Sequence, residues 1–211
     1  LSIIKLDNVT KLYGKRKILD NFSIEVNEGE FVAITGKSGS GKSTILNIIG
    51  LLETIDDGNI IIDGKKNLSP SSSESVRLLR STISYLFQNF ALIDEQTVAN
   101  NLLLALRYVK ESKKVKLQKI KEQLITVGLE GYENKKIFEL SGGEQQRVSI
   151  ARIMLKPSKI VLADEPTGSL DTGNRDTIMN LLKKLNNEGK TIIIVTHDKD
   201  VAEVCGRVIQ L

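Results

Sequence analysis

The run Gly36-Lys37-Ser38-Gly39-Ser40-Gly41-Lys42-Ser43 fits the spacing G-x-x-x-x-G-K-[ST], which suits the holding of phosphate. Glycines let the backbone curl until successive N–H groups point at one anion. A helix that starts directly afterwards aims its positive end at the same spot. In such a loop Lys42 reaches the outer phosphates and the Ser43 hydroxyl ligates Mg²⁺. Gly36, Ser38, Gly39, Ser40, Gly41 and Thr44 complete the candidate nucleotide contacts. The plain alternative is a glycine-rich turn that binds nothing.

Two further strings carry chemistry. Ile160-Val161-Leu162-Ala163 is an apolar run that ends in Asp164-Glu165, two acids at the end of a strand where ligands bind in open parallel sheets. Asp164 suits the Mg²⁺ shell, and Glu165, pointing elsewhere, suits the polarising of an attacking water. Alternatively, both only cap the strand. The string Leu140-Ser141-Gly142-Gly143-Glu144-Gln145-Gln146-Arg147 puts Ser141, Gly142 and Gly143 at a helix start, a second anion nest. One chain cannot wrap the same phosphates with both nests. The second nest therefore implies a second copy that donates it across an interface.

These groups need strands and helices to place them. Phe22, Ile24 and Val26 alternate with polar residues as in a half-buried strand, and Phe31–Thr35 reads as a strand buried on both faces. Ile60-Ile61-Ile62-Asp63-Gly64 reads as a strand ending in a turn. Ile45, Ile48, Ile49 and Leu52 stripe a helix that begins near Lys42. Ser71 with Glu74 forms a capping box for a helix carrying Val76 and Leu79. Leu117, Ile120, Leu124 and Val127 share one helix face; Val148, Ala151 and Leu155 share another. Ile178, Leu181, Leu182 and Leu185 stripe a helix stopped by Gly189, and Thr191–Val195 is another buried strand. Buried strands alternating with helices predict an α/β fold around a parallel sheet, with the N-terminal strands as a separate β subdomain. The helical stretch from about 89 to 155 reads as a subdomain inserted into a core of 1–88 and 156–211, all within one domain of 211 residues.

Composition narrows the function. No stretch approaches the ~18 to 20 apolar residues of a membrane span. The single Cys205 excludes an internal disulfide, and the single His197 excludes a multi-histidine metal site. A net charge of +4 with 4% aromatics and no Trp does not describe a nucleic-acid binder, so no nucleic-acid partner is expected. The lysines between Lys110 and Lys121 read as a solvated helix face. The opening LSIIKLDNV lacks a basic segment followed by an apolar one, so no secretory leader is expected.

Taken in order, phosphate loop, LSGGEQQR and the acidic strand, the sequence resembles the ATPase subunits of ATP-binding-cassette (ABC) transporters over essentially its whole length. The resemblance implies a P-loop NTPase core with parallel sheet, N-terminal antiparallel β subdomain and inserted α-helical subdomain. It implies ATP as substrate with Mg²⁺, and a head-to-tail homodimer in which each ATP lies between one chain's phosphate loop and the other's Ser141–Gly143. It implies a membrane permease partner, at the cytoplasmic face of the cell membrane. By the same resemblance Tyr13 stacks on adenine, and Gln88 senses Mg²⁺ and the attacking water. Ser169-Leu170-Asp171 forms the turn that crosses the interface, and His197 contacts the γ-phosphate. The stretches Asn47–Leu52, Thr97–Asn101 and Ala163–Asp171 look most like the branch that serves macrolide and peptide export, lipoprotein release and cell-division signalling. That branch implies export of a peptide, bacteriocin, drug or lipoprotein, or else signalling to cell-wall enzymes without transport. Phe90–Glu95 departs from the family in lacking Leu-Pro after the glutamine loop.

Overall fold

The computed structural model describes residues 1–168 and 170–211. Strands β1 (Ser2–Tyr13) and β2 (Arg16–Asn27) form an antiparallel hairpin whose turn is closed by Gly14 at φ +61°. β4 (Asp57–Ile62) and the two-residue β5 (Lys65–Lys66) extend this sheet in the order β2-β1-β4-β5. One face carries Ile4, Leu6, Ile24, Val26, Ile60 and Ile62 into the core, as the period-two pattern requires.

The second sheet is parallel. Its strands are β3 (Phe31–Thr35), β6 (Ile83–Leu86), β7 (Ile160–Asp164), β8 (Thr191–Val195) and β9 (Arg207–Gln210), in the order β6-β7-β8-β3-β9. The three central strands are buried on both faces, so each reads as an unbroken apolar run. Successive residues divide between two cores. Ala33, Val161, Ala163, Ile192 and Ile194 face one; Val32, Ile34, Leu162, Ile193 and Val195 face the other. The second core is shared with the antiparallel sheet and with α1 (Lys42–Ile49). The first is shared with α3 (Val98–Ala105), α4 (Lys113–Thr126), α5 (Gly142–Leu155) and α6 (Thr172–Asn187). Each fully buried aliphatic side chain in these layers contributes roughly 1.5–3 kcal/mol.

Four local readings need correction. α1 stops at Ile49 because Gly50 caps it and Leu51 turns left-handed at φ +56°. Leu51 is thereby buried, and Leu52, expected on the stripe, is 49% exposed. In α2 (Ser73–Ser81) the N-cap is Ser72, not Ser71; its hydroxyl accepts from the Ser75 amide. The third helical position is then Ser75, so Glu74 closes no capping box and instead pairs with Lys65 at 3.1 Å. The same shift buries Leu78 and leaves Val76 at the surface. Leu117, on the second turn of α4, is exposed beside Lys113, Lys114 and Lys121, while Ile120, Leu124 and Val127 are buried as expected. Gly189, at φ +92°, ends α6 as its position predicts.

Candidate nucleotide site

β3 delivers the chain to Gly36, and the loop closes into α1 at Gly41. The loop admits no extra carbon at either end. A Cβ on Gly36 would lie 2.8 Å from Ser40 Oγ, and one on Gly41 would lie 3.0 Å from both Ile18 Cγ2 and Leu19 Cδ2. Gly39 and Gly41 hold φ +75° and +97°, which L side chains rarely adopt. β2 therefore forms a wall beneath the loop, and a Cβ on Gly39 would lie 3.7 Å from the Arg16 guanidinium on that strand. Nothing in the sequence separates Arg16 from other basic hairpin residues. Among the described residues Ser40 Oγ is buried without a protein partner, as suits a hydroxyl facing an anion. Lys42 is buried and bends back, donating from Nζ to the carbonyls of Gly36 at 2.9 Å and Lys37 at 3.0 Å. Thr44 follows on the first turn of α1, and Ser38 sits at the exposed crest of the loop.

Beside the loop, Ser43 Oγ donates to Asp164 Oδ1 at 3.2 Å, so the hydroxyl and the last residue of β7 meet. Burial pushes the Asp164 carboxyl above its usual range; the Ser43 bond and Lys42 pull it down, and Glu165 pushes it up. Glu165 has φ +44°, a strained setting for a residue with a side chain. Its amide donates to Val195 O at 2.9 Å, which ties it to the end of β8. Its carboxylate is held on both oxygens: Thr196 Oγ1 donates to Oε2 at 3.3 Å, and His197 Nδ1 lies 2.8 Å from Oε1. The Glu165 side chain is largely covered while that of His197 is open to solvent. A polar cleft of about 170 Å³ adjoins this pair, lined by Thr167, Gly168, Leu170, Thr172, Arg175 and Asp198 as well. Gln88 is exposed, two residues beyond β6, whose Leu86 pairs with Ala163 of β7; it thus emerges at the same end of the sheet as Asp164.

Tyr13 ends β1 with its ring 47% exposed, so it is not a core residue. Its hydroxyl donates to Glu53 Oε2 at 3.1 Å, and the buried Lys11 pairs with the same carboxylate at 2.8 Å, fixing the ring at the surface.

The second nest opens α5. Ser141 is the N-cap and forms a reciprocal box with Glu144: the Ser141 amide donates to Glu144 Oε2 at 2.8 Å, and the Glu144 amide to Ser141 Oγ at 3.4 Å. That backbone bond from Ser141 is the main reason the Glu144 carboxyl sits below its usual range. The nest's neighbours are Phe90, whose Cζ would lie 4.0 Å from a Cβ on Gly142, and Asn174, which covers Gly143. Asn174 accepts from Arg147 Nη1 at 3.0 Å and donates to Asp171 Oδ2 at 2.6 Å. Asp171, the N-cap of α6, is exposed and held below the usual carboxylate range chiefly by the Asn174 amide. Ser169, expected in the same turn, lies outside the described residues. The structure thus gathers Lys42, Ser43, Asp164, Glu165 and His197 at the C-terminal ends of the central strands, and Ser141, Gly142, Gly143 and Asp171 into a separate cluster. Thr196, Gln146, Asn174 and Arg16 are neighbours that sequence spacing did not single out.

The arrangement has relatives. A sequence profile of the ABC transporter family matches residues 19–168. The chain is 40% identical over 215 residues to the macrolide export ATP-binding/permease protein MacB of Mannheimia succiniciproducens, covering 100% of this chain and 33% of that protein. It is 40% identical over 213 residues to MacB of Escherichia coli, covering 99% and 33%. The chain therefore spans about a third of the length of the curated relatives it matches. Among solved structures it resembles the dimeric structure of MJ0796, a bacterial ABC transporter cassette, at TM-score 0.89 and 44% identity over 99% of this chain and 94% of that one. It also resembles the post-hydrolysis dimer of MJ0796 bound to ADP and Pi, at TM-score 0.90 and 42% identity, with 99% and 94% covered. The α/β architecture is that of these cassettes. Among the described residues no helix is long and apolar enough to cross a membrane.

Proposed function

The chain belongs to the ABC transporter family, and we propose that it binds and hydrolyses ATP as a head-to-tail homodimer that drives a membrane permease. The observation that carries this reading is the meeting of Lys42, Ser43, Asp164, Glu165 and His197 at the C-terminal ends of the central strands of the parallel sheet. A phosphate chain entering the loop takes over the Lys42 ammonium from the carbonyls of Gly36 and Lys37, and the loop N–H groups of Ser38 to Thr44 neutralise the rest. Tyr13 offers its ring to the base. Asp171, Ser141, Gly142 and Gly143 serve the nucleotide of the other copy.

Mg²⁺ fits the donor set. Ser43 Oγ and Asp164 Oδ1 are hard oxygens side by side, and Gln88 emerges at the same end of the sheet. Among the described residues no trio of His, Cys, Asp or Glu is placed to hold an ion unaided, which agrees with an ion that arrives with phosphates. When bound, Mg²⁺ supplies charge neutralisation at the phosphate oxygens. Glu165 orients the attacking water and accepts its proton. His197, its Nδ1 held against Glu165, would contact the γ-phosphate through its other ring nitrogen.

The permease contact is assigned to an apolar groove of about 440 Å³ between the sheet edge and α3, lined by Leu52, Leu79, Leu104, Tyr108 and Arg80 among others. Curated relatives that carry a permease in the same chain support this partner, and with it a place at the cytoplasmic face of the membrane. Relatives named for macrolide export support export of a drug, while a peptide, bacteriocin or lipoprotein cargo rests on the sequence resemblance alone. Steady hydrolysis by the purified chain, a Glu165→Gln variant that accumulates as an ATP-bound dimer on size exclusion, and loss of turnover in Ser141→Arg with ATP binding retained are the expected results. Wild-type turnover by Ser141→Arg would overturn the shared site.

A further inference from the structure

We propose that Gln146 is a positioning residue that holds the Glu165 carboxylate in line from the helix whose N-terminus the chain lends to its partner. This inference rests on the reading of Glu165 given above. Gln146 lies in α5, one turn beyond Gly143, and only 1% of it is exposed. Its Nε2 donates to the carbonyl of Pro166 at 2.6 Å, wholly out of solvent. Among the described residues its Oε1 is buried without a partner. An orphaned acceptor is a net penalty, and an apolar side chain of the same length would fill the space without it. Packing alone therefore does not account for the amide, whereas the bond to Pro166 does.

That bond falls on the strained turn. Glu165 is left-handed at φ +44°, and Pro166 fixes the next φ through its ring. The other ties on the turn come from the strand ends and the turn itself: the Glu165 amide to Val195 O at 2.9 Å, and the Gly168 amide to Glu165 O at 3.1 Å. Gln146 supplies a tie from a different element. Without it, Pro166 is free to relax and carry the neighbouring carboxylate off Thr196 and His197, whose bonds to it are 3.3 and 2.8 Å long. Displacements of ~1 Å at a reacting group reach a hundredfold in rate. α5 thus connects the nest given away with the carboxylate kept, so a shift of the nest on engaging the other copy's phosphates is felt at the chain's own Glu165.

The test uses the full chain. Gln146→Leu is expected to lower turnover about tenfold or more while ATP affinity stays within about twofold. Combined with Glu165→Gln, it is expected to leave the ATP-trapped dimer as abundant as in Glu165→Gln alone, because a residue acting through the carboxylate has nothing left to position. Gln146→Glu keeps the shape and donates only when its carboxyl is protonated, so its turnover relative to wild type should rise as pH falls from about 8 to about 6. Wild-type turnover in Gln146→Leu, loss of the trapped dimer in the double variant, or a flat pH ratio for Gln146→Glu would each overturn the proposal. Wild-type turnover in Glu165→Gln by itself would instead overturn the reading of Glu165 on which the proposal rests.

Discussion

A methyl group added at Gly143 probes how firmly the lent nest is built. The new carbon would lie 2.7 Å from Asn174 Oδ1 and 2.8 Å from its Cγ, well inside ordinary contact. An unattached side chain would swing aside. Asn174 is attached, because its Oδ1 accepts from the Arg147 guanidinium at 3.0 Å. Breaking a hydrogen bond to a charged donor costs about 2 kcal/mol. Alanine in place of glycine inside a helix returns up to about 1 kcal/mol. Gly143→Ala should therefore destabilise the chain by about 1 kcal/mol, or roughly 3 °C in Tm for a protein of this size. In an Asn174→Ala background the obstruction is gone and only the helix gain remains, so the same substitution should raise Tm by a similar amount. Four thermal melts, wild type, two single variants and the double, measure this change of sign. If Gly143→Ala moves Tm in the same direction in both backgrounds, the contact between α5 and α6 is not what fixes the nest.

Two other outcomes follow from the site and one from Lys156, the residue that caps the C-terminal end of α5. Asp164→Asn should raise Tm in the absence of nucleotide, since burial makes the ionised carboxylate unfavourable, and it should abolish turnover; a lowered Tm would mean that the bond from Ser43 outweighs burial. Tyr13→Ala should weaken ATP binding about tenfold or more in an equilibrium titration, the range for loss of one stacked base, with little change in Tm; unchanged affinity would remove Tyr13 from the site. Lys156, whose ammonium is pushed down to about 8 by burial, carries its full penalty below that pH; between there and the unfolded value of 10.5 the folded chain has shed a proton that the unfolded chain retains, and stability rises. Wild type should therefore gain Tm relative to Lys156→Met as pH is raised from about 7 to about 10.

What the sequence reveals is whatever local chemistry decides. The phosphate loop is legible because glycine spacing, a β-branched strand and a helix stripe must coincide there, and the buried strands announce themselves by unbroken apolar runs. The nest is legible through Ser141 and the reciprocal Glu144. Leu52 misleads because a stripe continues on paper after Gly50 and the left-handed Leu51 have ended the helix. Ser71 misleads because a run of five consecutive serine or proline positions offers several caps and only packing selects Ser72. Edge strand β9 is short and largely exposed, so its alternation is faint. The partners of Glu165 come from Thr196, His197 and, through Pro166, Gln146, at separations of 31, 32 and 20 residues for the three bonds, which no local pattern encodes. The same holds for Phe90 and Ala91, both left-handed, whose carbonyls are gripped by Ser149 and Arg152 on α5.

The alternation of β3, β7 and β8 between two oily layers has a mechanical corollary. The sheet is a partition one strand thick, with the antiparallel hairpin greased to one side and the bulk of the helices to the other. The phosphate loop, Asp164, Glu165 and His197 protrude from the rim of that partition, where the layers part company. Slippage of the helical side along the wall needs no hydrogen bond of the sheet to break, yet it drags α5 and its ties to Pro166 and Phe90 across the rim. Leverage and fuel therefore meet along one line of the molecule, with no long relay between them.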